Sequence, residues 1–319
     1  MLHPVSIKGK VRWEGRWIGL TVSLAFSFLL FTVYWCAPAF FTWQNLVNLF
    51  RQVSISGIIA CGMTVVMIAG GFDLSVGAIL ALSGVLAIHF SKSSLTTGFL
   101  IPLGVGILGG YVNGTLVSQF SINPLIVTLG SRYLLYATAN LITGGFIQYN
   151  ENTAFLALGR GIWMKMPMPA VVFVAVALLT HVLLRYTVPG AAIYAVGSNE
   201  QAASFSGLPS RQIRALSYVA TGLCAALGGI VLASRLGVAA PDAGEGYELD
   251  AIAAVVIGGT SMFGGSGGIR QTLAGVLLLG VLSNLLVLAG QPYEIQRIAT
   301  GTVIVLAVGI DAYQRRNTS

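Results

Sequence analysis

Charge is what this sequence has least of: Asp, Glu, Lys and Arg make up 8% of its 319 residues, where a soluble domain carries roughly a quarter. That scarcity excludes a solvated globular surface. Histidine is almost missing. His3, His89 and His181 are scattered, with no carboxylate or serine at useful spacing, so local sequence assembles neither a catalytic triad nor a metal site. Cys36, Cys61 and Cys224 are an odd set without C-x-x-C spacing, which argues against a disulfide framework or a zinc site and for buried structural thiols. No G-x-x-x-x-G-K-[ST] segment occurs, so the chain lacks the phosphate cradle of an ATPase and any ATP-driven step needs a separate motor.

What is present is apolar. Hydrophobic residues make up 55% of the chain and the mean hydropathy is +0.84. Apolar runs fall near 17–36, 53–70, 74–90, 98–119, 124–145, 168–186, 211–234, 248–262, 269–289 and 294–312. At about 20 residues per crossing, these predict an all-α membrane protein of about ten transmembrane helices, one domain over 1–319. The run at 17–36 is about twice as long as the apolar core of a secretory signal, and no small-residue cleavage site follows it. It reads as a retained span.

The net charge of +7 would suggest a nucleic-acid partner in a soluble chain, but here the basic residues cluster at span ends. Lys8, Lys10, Arg12, Arg16, Arg185, Arg211, Arg214, Arg270, Arg315 and Arg316 fall on one side. Arg51, Lys92, Arg160, Lys165, Arg235 and Arg297 fall on the other, with Arg132 inside a run. The bias expects both termini, with segment 1–16, in the cytoplasm.

Two segments interrupt the apolar pattern: "GGFDLSVG" at 70–77 and "GGTSMFGGSGG" at 258–268. Mid-helix glycine costs about 1 kcal/mol relative to alanine, so both read as bends or unwound stretches. Each follows a run ending in Gly-Gly, the pattern of a degenerate repeat with two broken helices. Irregular backbone survives at membrane depth only inside protein or beside a water-filled cavity, which points to a transport pathway. Gly106, Gly110 and Gly114 recur at four-residue spacing on one helix face, expected to pack within the bundle. The polar stretch 187–210 contains "SNEQAASFSG", a short helix capped by Ser198 or Asn199 and ended by Gly207 and Pro209. Its length favours a docking element over a plain connector.

The segments "GGFDLSVG", "NPLIVTLG" (123–130), "AVGSNEQAASFSG" (195–207) and "GYELDAIAAVVIGGTSMFGGSGG" (246–268) resemble the signature segments of membrane permeases of ribose-type ATP-binding-cassette sugar importers. The resemblance runs from about residue 40 to 313 with the motifs in the family's order, and departs from it at Phe72, where the family has a smaller branched residue. It implies the ten-span type II importer permease fold in a bacterial inner membrane. The implied partners are a second permease subunit, identical or paralogous, a cytoplasmic ATPase binding ATP and magnesium, and a periplasmic sugar-binding protein, with no cofactor in this chain. The 195–207 helix then corresponds to the coupling helix of 187–210, with Asn199, Glu200, Ala203, Ser206 and Gly207 as coupling residues.

Asp73 needs a partner in an apolar setting. It either caps the following helix, accepting from the amides of Ser75 or Val76, or lines the path with Ser75, Asn113, Asn123, Thr128 and Arg132. Arg132 needs an acceptor, with Asp73 one candidate. The asparagines and Thr128 either bind sugar hydroxyls or tie helices together. Glu245, Glu248 and Asp250 either complement a helix dipole or dock the binding protein. A competing expectation is an ion-coupled secondary transporter of a small polar solute working through Asp73 and Arg132.

Overall fold

The structure, a computed structural model, describes residues 38–316. The segment 1–16, the first apolar run at 17–36 and Cys36 lie outside the described residues. After a 3-10 turn at Pro38–Phe41, twelve α-helices follow. They are α1 (Trp43–Ile68), α2 (Val76–Ser91), α3 (Leu95–Ser118), α4 (Pro124–Thr143), α5 (Thr153–Arg160) and α6 (Met168–Tyr186). Then come α7 (Val188–Ser198), α8 (Glu200–Phe205), α9 (Ser210–Leu236), α10 (Tyr247–Ile257), α11 (Ile269–Leu288) and α12 (Tyr293–Arg316).

Two short antiparallel ladders complete the described fold. Strand β1 (Gln148–Tyr149) pairs with β4 (Val238–Ala239), and β2 (Ile162–Trp163) pairs with β3 (Met166–Pro167).

The helices start where the sequence offers side-chain acceptors for orphan amides. Asn123 accepts from Leu125 N at 2.9 Å to open α4, and Asn152 accepts from Ala154 N at 3.0 Å to open α5. Gly144 and Gly237, in the left-handed region, close α4 and α9.

Among the described residues six helices, α1, α3, α4, α6, α9 and α11, are long and apolar enough to cross a membrane. The runs at 74–90 and 248–262 yield shorter helices, of 16 and 11 residues, because the two interruptions remove backbone from them. α1 and α9 are the buried centre, with α9 packed on α3, α1 and α2. The other long helices turn apolar side chains outward, Leu141 being 85% exposed, as expected of a surface that meets lipid rather than water.

Gly106, Gly110 and Gly114 of α3 lie against α9: a Cβ at each would overlap the backbone oxygens of Gly222, Tyr218 and Ala215 respectively. The stripe is therefore a close helix–helix seam within the bundle. Cys61 and Cys224 are buried free thiols. Four arginines mark the two ends of α9. Arg214, in its first turns, bonds Glu200. At the other end Arg160 bonds the carbonyls of Arg235 and Leu236, and Arg51 bonds the carbonyl of Arg160. Arg214 and Arg235 are about 31 Å apart at 1.5 Å per residue, near the thickness of a hydrocarbon core.

Candidate functional site

Both predicted interruptions are helix ends of one design. After α1, Gly70 N bonds Met67 O and Gly71 N bonds Val66 O, each at 2.9 Å, with Gly70 at φ 79°. After α10, Gly259 N bonds Val256 O at 2.8 Å and Thr260 N bonds Val255 O at 3.1 Å, with Gly259 at φ 99°. This is the Schellman pattern twice, and the left-handed residue is glycine because a Cβ there is strained. The two ends touch: Gly265 N donates to Ile68 O at 2.9 Å, and Gly197 of α7 packs so tightly on that carbonyl that a side chain would overlap it.

Asp73 is fully buried in the first break. Its Oδ1 accepts from Ser75 N at 2.9 Å and from Ser75 Oγ at 2.6 Å. The Ser75 bond is the one expected of a cap, but the cap position itself belongs to Ser75 and α2 begins at Val76. Asp73 sits two residues earlier and closes an Asx-type turn. Asn113 of α3 donates to Ser75 Oγ at 2.9 Å, and Ser131 of α4 donates to Asn113, so one polar chain ties α2, α3 and α4. Thr128, also buried, bonds back to Pro124 O at 2.9 Å, and Asn123 is spent on capping α4. Both side chains are thus engaged within α4 itself.

Arg132 does not pair with Asp73. It faces Glu248 at 3.2 Å and Glu245 at 3.8 Å, because the chain returns from β4 into the bundle before α10 begins. Glu248 is 1% exposed, so it is turned inward where a docking surface was expected, while the Glu245 side chain is largely exposed and Asp250 half-buried. Glu248 and Asp250 also occupy the first turn of α10, where acids complement the helix dipole. All three acids and Arg132 border an open cavity of about 750 Å³ that Gln52 and Ser56 of α1, Ser283 of α11 and Thr300 of α12 complete. It is a polar recess among otherwise apolar helices.

At the opposite end, the 187–210 stretch is mostly helix. The preceding span ends at Tyr186, just before Pro189, which then stands in the first turn of α7, where its missing N–H is harmless. The expected helix over 195–207 is split at Asn199, whose side chain accepts from Ala202 N at 2.9 Å to start α8. Gly207, at φ 84°, ends it. Ala203 is buried against the bundle, so it supports α8 rather than presenting a contact face. Glu200 is held in-chain by Arg214, Nη1 to Oε2 at 2.7 Å. Ser206 Oγ bonds Ala202 O at 2.9 Å. The open face of α8 carries Phe205, 91% exposed, beside a groove of about 630 Å³ lined by Gln201, Ser204, Arg211 and Gln212.

A family model described as a permease component of branched-chain amino acid transport systems matches residues 45–308. The chain belongs to this permease family. It is 41% identical over 310 residues to the ribose import permease protein RbsC of Bacillus subtilis, covering 95% of each chain. It is 37% identical over 315 residues to the RbsC of Escherichia coli K12, covering 96% of this chain and 98% of that one. Against the L-arabinose transport system permease protein AraH of Escherichia coli K12 the identity is 35% over 306 residues, 93% of this chain and 91% of that one. No solved structure matches it.

Three residues of this permease that local motifs did not single out join its sites. Tyr136 lies one turn after Arg132, with the Arg132 guanidinium carbon 5.7 Å from its ring centroid. Arg214 reaches from Glu200 to Gly70 O, which its Nη2 meets at 3.0 Å, and so links α8 to the first break. Phe205 is an apolar side chain left in the open on a six-residue helix. The exposed aromatic within "SNEQAASFSG" was the available signal; the other two depend on contacts between distant segments.

Proposed function

We propose that this chain is the transmembrane permease subunit of an ATP-driven importer for a monosaccharide, and that it works beside a second permease subunit. The observation that carries this reading is the nearly full-length likeness to permeases named for ribose and arabinose. The cavity bordered by Arg132, Glu245 and Glu248 is the stretch of path within this subunit, completed by the second permease. The permease has about ten spans in all, the two Schellman ends belong to two related broken-helix repeats, and both termini lie in the cytoplasm of a bacterial inner membrane.

The face of α8 with Phe205 and the neighbouring groove receives a cytoplasmic ATPase that binds ATP and magnesium, and a periplasmic sugar-binding protein delivers the cargo. Asn199 and Gly207 set the two ends of α8, while Ala203 seats it. A push on α8 reaches the first break through Arg214, whose guanidinium holds Glu200 and Gly70 O together. Arg132 lies on the path, and Asp73, Ser75 and Asn113 shape it from behind. Of the three acids once expected to meet the binding protein, Glu245 is the one with an open side chain.

The test is uptake of labelled ribose into proteoliposomes holding the permease, its ATPase and its binding protein. Uptake is expected only with ATP inside the ATPase compartment and with all components present. Uptake by the purified chain alone under a proton or sodium gradient would overturn the reading.

A further inference from the structure

Charge at the inner end of the cavity is arranged in a way that passage of a neutral solute does not by itself require. Arg132 meets Glu248 through one oxygen at 3.2 Å and Glu245 through one oxygen at 3.8 Å, not as a bidentate fork. The Glu248 side chain is 2% exposed, and its second oxygen has no hydrogen-bond donor. The Tyr136 hydroxyl is likewise buried with no partner in hydrogen-bonding geometry. Both oxygens converge on Gly77 in the first turn of α2, where a side chain would collide with the Glu248 oxygen. A buried acceptor left without a donor is costly, and an ion pair pulled apart in such a place is costlier still. The pair is therefore in contact yet incompletely satisfied.

We propose that Arg132 and Glu248 form a hydroxyl-responsive gate, so that the permease itself selects polyhydroxylated solutes. The inference rests on the importer reading above and names the residues that discriminate within the path. A hydroxyl donates and accepts at once. Neighbouring hydroxyls of a polyol donate to the Glu248 carboxylate and accept from the Arg132 guanidinium, so the two charges part without either being left bare. A solute lacking one of those hydroxyls leaves one charge unmatched, and the gate opens less often. Tyr136, four residues from Arg132 on the same face of α4, steadies the guanidinium from the side.

The test compares ATP-driven uptake of ribose and 2-deoxyribose by the complete reconstituted transporter. The same binding protein serves both permease variants, so its own preference cancels in the ratio. Glu248→Gln keeps the shape and removes the charge, and the preference for ribose is expected to fall by about ten-fold. Tyr136→Phe is expected to shift the ratio the same way by a smaller factor. An unchanged ratio in a transporting Glu248→Gln complex would overturn the gate, as would an equal loss for both sugars. If that variant fails to co-elute with its ATPase, Arg132→Lys, which keeps the charge, carries the same comparison. Loss of assembly in both would show that the pair only holds the fold together, and would also overturn the gate. Absence of ATP-driven uptake in the unaltered complex would instead bring down the importer reading.

Discussion

Two helices, α1 and α10, end after Ile68 and Ile257 with the same pair of capping bonds, and the chain then treats the freed backbone differently at each. In the first break one left-handed glycine is followed by Asp73, and a carboxylate, a hydroxyl and an amide hold the turn to α2, α3 and α4. The second runs on through residues 258–268 with left-handed Gly259, Gly264, Gly265 and Gly267. Its ties are neutral and include Ser261 N to Ser266 O, Phe263 N to Ser261 Oγ, Gly268 N to Thr260 Oγ1, Tyr194 Oη to Gly267 O, and Gly265 N to Ile68 O. A buried acid and its partners on α3 and α4 fix the first break; four left-handed glycines and neutral hydroxyl bonds shape the second. A path that must open and close benefits from one stiff edge and one that can shift.

The largest effect should come from removing the stiff edge. Asp73→Ala strips Ser75 N and Ser75 Oγ of their acceptor and should cost about 2–4 kcal/mol, read as a lower thermal midpoint of the purified permease in detergent. Asp73→Asn should lose much less, since an amide oxygen still accepts from Ser75 N. Equal losses for the two would mean that the charge, not the hydrogen bonds, holds the turn.

The shared feature of the two breaks predicts a matched pair of intermediate effects. Gly70→Ala and Gly259→Ala should each cost about 1–2 kcal/mol, because both force a Cβ into the left-handed region. A clear difference between them in the same thermal measurement would break the parallel. The smallest effect belongs to the neutral ties of the second loop. Ser261→Ala removes the acceptor for Phe263 N and should cost about 0.5–1 kcal/mol. A cost near that of Asp73→Ala would show that the second loop is as rigidly knit as the first.

Much of the fold was open to reading from hydropathy, since a backbone in hydrocarbon has few options besides helix. Both breaks were visible too, because Gly-Gly followed by polar residues contradicts the runs around it. The partner of Arg132 was not. Asp73 is the nearest acid in the conspicuous motif, but Glu248 reaches Arg132 only because the chain re-enters the bundle between β4 and α10, and hydropathy carries no record of that return. Asp73 was placed at the cap because Asp-x-Ser before an apolar run fits both a cap and an Asx turn, which differ by only two residues in where the helix starts.

Around 187–210 the composition misled in another way. Pro189 follows the end of α6 and opens α7 within three residues, so a second helix starts where a polar stretch was expected. The inward Ala203 and outward Phe205 could not be assigned by periodicity, because six residues are less than two turns. Arg214 looked like one more basic residue at a span end. Its reach to Gly70 O shows that a residue which satisfies a topology rule can also bridge two working parts.

The bond between Gly265 N and Ile68 O also sets an order of events during synthesis. The carbonyl that ends α1 finds this donor about 200 residues later in the chain, a delay of roughly 10–40 s at ordinary translation speeds. Through that interval the Ile68 carbonyl waits for this partner. The last third of the polypeptide therefore finishes the first described span, and a ribosome stalled before residue 265 leaves α1 anchored but unsealed.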